Sequence, residues 1–303
     1  MRHPVLSLFL GAVASLATGA QAETLNVRLI LSDSSAPYQQ FATTFSKSLA
    51  SINADVIITE SHAASSTKAD LVVTVGIKAA EFAASSSDIP VLAVMIPKAG
   101  YEALPARPSL QKSSRQISAI YLEQTWDRQL DFLRAALPKH RRIGLLYSES
   151  TQIDMAHLRQ DISMRGASLV TRPVSSAEQL FSSLDAILDD IDVLLAIPDN
   201  TIYSSSSIRN ILLTSYRHGV PLIGLSQSYV TAGALTAIFS TPEQLAEQAG
   251  LAVTLFARTG HLPESQYPAK FTIAVNQQVA RSLGIELPSP EAIRRLMDKV
   301  KEE

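Results

Sequence analysis

Pro138-Lys139-His140-Arg141-Arg142-Ile143-Gly144-Leu145-Leu146-Tyr147-Ser148-Glu149-Ser150-Thr151 is the stretch that decides the fold. A proline and a basic cluster interrupt the helical pattern before it. A short apolar run follows, then a polar loop of hydroxyls and one acid. This reads as a strand opening a second sheet midway along the chain.

Outward from that point the same cadence runs in both directions. Strands are predicted before it at Val27 to Leu31, Val56 to Thr59, Leu71 to Val75, Val91 to Ile96 and Ile117 to Tyr121. Beyond Ile143 to Tyr147 they recur at Ser168 to Thr171, Val193 to Ile197, Pro221 to Leu225, Leu235 to Phe239 and Phe271 to Val275. Two-sided apolar strands alternating with helical periodicity are the signature of α/β layers, parallel sheets covered on both faces. Two sheets suit this chain better than one, because strongly twisted open sheets rarely exceed about ten strands. Helix stripes fall at Phe41, Phe45, Leu49 and Ile52, at Leu130, Leu133 and Leu137, and at Ile293, Leu296, Met297 and Val300. Helix starts are expected at Thr241-Pro242-Glu243-Gln244, at Ser176 with Gln179, and at Ser289-Pro290. Ser65-Ser66, Ser85 to Ser87 and Ser204 to Ser207 are local serine clusters, not linkers.

At the start of the chain, Arg2 and His3 precede an apolar stretch from Val5 to Leu16, and Ala20-Gln21-Ala22 gives a small-x-small cleavage pattern. Residues 1–22 therefore read as a signal peptide, with cleavage before Glu23 and a periplasmic destination. The stretch is shorter than the roughly 20 residues needed to span a bilayer, so the mature chain is not expected to be embedded in a membrane. With 26 Lys and Arg against 28 Asp and Glu, a formal net charge of −2 and scattered charges, nucleic acid is not an expected partner. The cluster at residues 139–142 reads as a solvated loop. The chain has no cysteine, which excludes disulfides, thiol nucleophiles and zinc-thiolate sites.

In doubly wound sheets ligands lie beyond the carboxyl ends of the strands. The candidates there are Ser34, Ser35 and Tyr38 after the first strand, Gly76 and Ile77 after the third, and Tyr121 ending the fifth. In the second half they are Ser148 and Glu149, then Asp199 and Asn200, then Ser226, Gln227 and Tyr229. Pro97-Lys98, Ser150-Thr151 and Pro198 occupy equivalent positions. Tyr147 and Tyr203 join Tyr38, Tyr121 and Tyr229 as possible stacking surfaces. Hydroxyls, amides and helix starts suit a small polar ligand; the same residue types also make ordinary caps and turns. An enzyme is not indicated. The chain lacks Gly-x-Gly-x-x-Gly after its first strand, Gly-Lys-Ser, Gly-Lys-Thr and Gly-x-Ser-x-Gly. His62, His140, His157, His218 and His261 show no metal-ligand spacing and read as surface residues, so no metal or cofactor is expected. Asp199 reads as a hydrogen-bonding or capping acid in preference to a general base.

The order of Ile143 to Tyr147, then Val193-Leu194-Leu195-Ala196-Ile197-Pro198-Asp199-Asn200, Val220-Pro221-Leu222-Ile223-Gly224, Tyr229 to Ala234 and Val275 to Pro288 resembles the ABC-transporter substrate-binding family that includes tryptophan- and tyrosine-type binding proteins. The resemblance implies a type I periplasmic binding protein fold, with two Rossmann-like lobes joined by a three-strand hinge. It places the crossovers near 121–124, 239–241 and 270–275. Lobe one would be 23–122 with 241–269, and lobe two 123–240 with 270–303. Asp199-Asn200 takes the family's Asp-Asn position, and Ser226 to Tyr229 the loop before its Gly-Ala pair. The chain departs at Ser148-Glu149-Ser150-Thr151-Gln152, where the family has an Asn-Pro-x-Glu-Ala-Asn-Ser-like stretch, and at Gly76-Ile77-Lys78, where threonine and alanine are usual. The implied function is capture of a small organic ligand, amino acids among the candidates, by an exported monomer that delivers it to an ABC permease. A ligand-sensing input for a sensor kinase or other envelope receptor is the alternative, and an exported α/β enzyme comes after it.

Overall fold

The computed structural model describes residues 24–50, 54–60, 68–86, 88–104, 116–151 and 153–300. The signal peptide read at 1–22, Ile52, His62, Ser65, Ser66, Ser87 and Gln152 lie outside them. The first sheet holds β1 (Leu25–Leu31), β2 (Ala54–Glu60), β3 (Leu71–Val75), β4 (Val91–Ile96) and β5 (Ile117–Tyr121), all parallel, in the order β2-β1-β3-β4-β5. The second holds β6 (Arg142–Tyr147), β7 (Ser168–Pro173), β8 (Val193–Leu195), β9 (Leu222–Gly224), β10 (Thr236–Phe239) and β11 (Thr272–Val275), in the order β11-β10-β9-β8-β6-β7. Every strand read from the sequence is present. One direction differs from the parallel expectation: β11 runs antiparallel to β10. The chain re-enters this sheet from the first sheet's side, so the returning strand joins the edge in the opposite sense.

The helices are α1 (Ala36–Ser48), α2 (Ile77–Ser86) and α3 (Lys98–Ala103) in the first half. Next come α4 (Trp126–Ala136), α5 (Met155–Met164), α6 (Leu180–Leu188), α7 (Ile208–Arg217) and α8 (Gln227–Ala232). The last are α9 (Pro242–Thr259), α10 (Gln277–Ser282) and α11 (Pro290–Val300). Helix α9 opens with a complete capping box between Thr241 and Gln244. It crosses back to the first sheet, where Leu245, Ala249 and Val253 share a core with Phe41, Phe45, Leu29 and Val73. Gly250 lets α9 approach α1 closely, because a Cβ there would strike Ser48. On the second sheet, Ile293 and Met297 of α11 enter the core with Leu130 and Leu133 of α4. Leu296, expected on that stripe, is 41% exposed. It lies one position before Met297, and a single helical residue rotates the side chain by about 100°. Ser176 does not cap a helix: α6 starts after Gln179 without a side-chain cap, and Ser176 only begins the preceding turn. His140 also departs from a simple surface reading, since its Nδ1 is buried without a hydrogen-bond partner.

Three segments run between the sheets and are tied together. Gln124 Nε2 donates to Ser240 Oγ (2.9 Å), and Ser240 Oγ donates to the Lys270 carbonyl (2.6 Å). Arg128 Nη1 donates to Gln124 Oε1 (2.6 Å) and to the Pro268 carbonyl (2.8 Å), with its guanidinium 5.0 Å from the Phe271 ring centre. Gln266 lies alongside the edge strand β5, exchanging backbone hydrogen bonds with Ala119 and Tyr121.

Candidate functional site

A cavity of ≈ 250 Å³ opens where the two sheets face each other. The first sheet contributes Lys98 and Ala99 at the start of α3, with Tyr267 from the segment beside β5. The first connecting segment contributes Glu123 and Gln124. The second sheet contributes Trp126 and Gln129 of α4, Ser150, Thr151 and Ile153 after β6, Asp154 just before α5, His157, Leu158 and Asp161 of α5, and Ile197 and Pro198 after β8.

Local chemistry fixes these side chains. Thr125 is extended and accepts from Arg128 N–H (3.3 Å), which starts α4 and places Trp126 on its first turn. Asp154 caps α5, its Oδ1 accepting from the N–H groups of Ala156 (3.1 Å) and His157 (3.0 Å). Both Glu123 oxygens accept from the Lys98 N–H at 3.0 Å, so an acid of the connecting segment caps a helix of the first sheet. Burial pushes the Glu123 carboxyl upward and outweighs the backbone N–H groups that draw it down. Tyr267 packs edge-on to Tyr121, ring centres 5.1 Å apart, and Tyr121 packs in turn on Tyr101.

Asp199 stands behind the polar wall, 4% exposed. Its Oδ2 accepts from Ser148 Oγ (2.7 Å), Ser148 N–H (3.1 Å) and Thr151 Oγ1 (2.6 Å), and its Oδ1 from Thr201 N–H (2.9 Å). Burial works to raise this carboxyl, but the bonds from Thr151, Ser148 and Thr201 hold it below the usual aspartate range. Thus Asp199 ties the loop after β6 to the loop after β8. Tyr203, fully buried beside it, has its hydroxyl raised by burial and without a partner.

The other sequence candidates sit at the strand edges. Ser34 and Ser35 are exposed, and Ser35 N–H donates to Asp33. Tyr38 lies over Gly76, which holds φ +84° at the end of β3, with Ile77 starting α2. Glu149 and Asn200 are exposed. Ser226 Oγ lies 2.7 Å from Ser228 Oγ, Gln227 faces Thr231, and the Tyr229 hydroxyl donates to the Tyr203 carbonyl. None of these lines the cavity, and neither do Tyr121, Ser148 or Asp199. Lys98, Ser150, Thr151 and Pro198, also read after strands, do line it. Trp126, Glu123 and Asp154 escape a strand-tip reading because they sit on a crossover and at helix starts. The signal for them was the capping pattern Thr125-Trp126 and the acid in the crossover. Among the described residues no group of histidines and acids is placed to hold a metal ion, and no helix is long and apolar enough to cross a membrane.

Comparison with known proteins places this geometry. The family model described as ABC transporter substrate binding protein matches residues 38–301. A tyrosine-binding protein of Clostridioides difficile is 24% identical over 236 residues, 76% of this chain and 67% of that protein. In fold the chain is similar to an ABC domain in complex with L-Trp from Streptococcus pneumonia (TM-score 0.65, 18% identity, 90% of this chain and 98% of that one). It is also similar to the ligand-free, open structure of a substrate binding protein with adhesive properties from Clostridium difficile (TM-score 0.66, 20% identity, 88% and 97%). The architecture is the type I periplasmic binding protein fold, its two sheets forming two lobes.

Proposed function

The chain belongs to the ABC transporter substrate binding protein family, and from that premise we propose that it is exported to the periplasm, captures a small organic solute between its lobes and delivers it to an ABC permease. In this reading lobe one is residues 23–122 with 241–269, and lobe two is 123–240 with 270–303. The observation that carries it is the ≈ 250 Å³ cavity walled by elements of both sheets and by Glu123 and Gln124 of a connecting segment. A guest in such a place touches both lobes only when they close, so its affinity differs between the open and closed arrangements. Taking a hinge from mostly open to mostly closed requires a preference of about 5.5 kcal/mol. Ligand pockets of drug-sized molecules are roughly 300–1,000 Å³, so this guest is small.

Tyr121 backs the aromatic wall, and Ser148 with Asp199 holds the polar one in place. Ser34, Ser35, Tyr38, Gly76, Ile77, Glu149, Asn200, Ser226, Gln227 and Tyr229, along the strand edges, meet solute or the opposite lobe on closure. Amino acids are the first solutes to test, given what the Streptococcus structure holds and what the Clostridioides protein is named for. A thermal-shift screen of the mature protein against amino acids, amines, sugars and organic acids tests the reading. A true ligand at about 100 times its dissociation constant stabilises by roughly 2.7 kcal/mol. A screen in which no class raises the melting temperature overturns it. Amino-terminal sequencing of the protein from a periplasmic fraction should begin at Glu23.

A further inference from the structure

Resting on the capture reading and deepening it, we infer that Met95 is a positioning residue for the cleft: its left-handed backbone turn sets α3, and with it Lys98 and Ala99, against the space where solute is held. Among the described residues Met95 is the one non-glycine with φ in the left-handed region, at +54°. It falls near the end of β4, where Val94 pairs with Ile120 and Ile96 with Tyr121, so one extra residue enters between two consecutive pairings. Bulges of this kind are rare between parallel strands and concentrate beside functional sites. A residue with a Cβ is strained in that region and persists there only where its surroundings hold it.

The extra residue reverses the alternation of the strand. Pro90 and Val94 offer their carbonyls toward β3, to the N–H groups of Val72 (3.0 Å) and Gly76 (2.9 Å), and period two assigns Ile96 to the same side. Its carbonyl instead accepts from Leu122 N–H (3.0 Å), just past β5. The side chains change faces in step. Leu92 and Val94 pack into the core shared with α1 and α9, where Ile96 should follow them. Ile96 lies on the other face with Ala93, Leu104 and Tyr121, while Met95 packs against the core of α1 and α9. Ile96 thereby becomes a seat for α3: a Cβ at Gly100 would lie 3.8 Å from Ile96 Cγ1 and 2.9 Å from Ile77 Cδ1. Pro97 then leads into the helix, the Lys98 N–H reaches both Glu123 oxygens at 3.0 Å, and Lys98 and Ala99 line the cavity. With Met95 extended like its neighbours, Ile96 would turn toward α9 and the start of α3 would leave the cavity wall.

Hydrogen exchange read by NMR on the mature, ligand-free protein tests this at two amides of the first sheet's half: Lys98, bonded to Glu123, and Val72, bonded to Pro90 within the sheet. Isoleucine keeps the bulk of methionine but, being β-branched, resists a left-handed φ; leucine is unbranched at Cβ, and glycine is free of the strain. Met95→Ile should speed Lys98 exchange at least about tenfold and well beyond any change at Val72, whereas Met95→Leu and Met95→Gly should leave Lys98 within about twofold. An unchanged Lys98 rate in Met95→Ile overturns the inference. So does equal acceleration of Lys98 and Val72, which would mean general loosening, or fast Lys98 exchange in Met95→Gly, which would mean that the side chain and not the turn matters. Should Met95→Ile fail to fold, the glycine and leucine variants still decide, because a packing role speeds Lys98 in Met95→Gly alone. Calorimetry with L-tyrosine carries the comparison to capture: Met95→Ile should bind it at least about tenfold more weakly than the unaltered protein, and Met95→Gly about equally. Equal tyrosine affinity in Met95→Ile overturns the role in capture. If L-tyrosine binds no form, the exchange pattern alone decides; if no screened solute stabilises the protein, capture falls and the placement of α3 by Met95 does not.

Discussion

Two acids, Asp199 and Glu123, illustrate how burial and hydrogen bonding act on a carboxyl in opposite directions. Asp199 is held below the usual range because four donors outweigh its burial. The stability it contributes is therefore fully present above the unfolded aspartate value of about 3.9 and is lost as pH falls through its lower folded value. Asp199→Ala should cost about 3 kcal/mol at neutral pH in urea unfolding, since it removes the buried acceptor that Ser148, Thr151 and Thr201 share. Asp199→Asn should flatten the acid limb of the stability profile. Glu123 is raised, so the folded chain holds a proton that the unfolded chain has released. Stability should fall as pH rises from about 4.3 through the raised value, and Glu123→Gln should abolish that slope in thermal melts at successive pH values. Gly76 adds a backbone case: at φ +84° a Cβ would sit 2.5 Å from the Tyr38 hydroxyl and 2.7 Å from Ser32 Oγ. Gly76→Ala should destabilise by about 2 kcal/mol in the same urea assay. Asp199 was readable as a hydrogen-bonding acid. Its partners were not, because Ser148 and Thr151 lie some fifty residues away and only the parallel pairing of β6 with β8 brings them near.

Elements were the most legible level, and the reason is periodicity. Strands covered on both faces write continuous apolar runs, and Leu71–Val75, Val91–Ile96 and Ile117–Tyr121 begin and end where the pattern does. Strand direction leaves no such mark, so the reversed β11 was invisible until its register with β10 was seen. Helix starts divided by chemistry. Thr241 to Gln244 forms the full reciprocal box, whereas Ser176 with Gln179 has the same spacing and makes only a turn. The box matters because α9 carries the chain from the second sheet back to the first, where it completes the core around Phe41 and Phe45. Thr241→Ala should therefore lower stability by about 1 kcal/mol, measured by urea denaturation, with Thr241→Ser retaining most of it.

On the scale of the whole molecule, the three connecting segments behave as one unit because Arg128, Gln124 and Ser240 bind them to each other and to the Pro268 and Lys270 carbonyls. Arg128→Ala should loosen that unit while leaving both cores intact. Energy transfer between dyes placed on the two lobes should then show a broader distance distribution in ligand-free protein, with far-ultraviolet circular dichroism unchanged. The sequence by itself determined the alternating layers, the division into two sheets and the absence of known nucleotide, hydrolase and thiolate motifs. These follow from local residue patterns, and local patterns survive without knowledge of what lies opposite. Tertiary structure alone decided which residues face the cavity: Trp126, Glu123, Asp154 and Lys98 belong to separate elements, and only the packing of one sheet against the other sets them around a common space. It also decided that the strand-tip acid Asp199 supports that wall from behind, since burial and partner geometry are properties of the assembled chain.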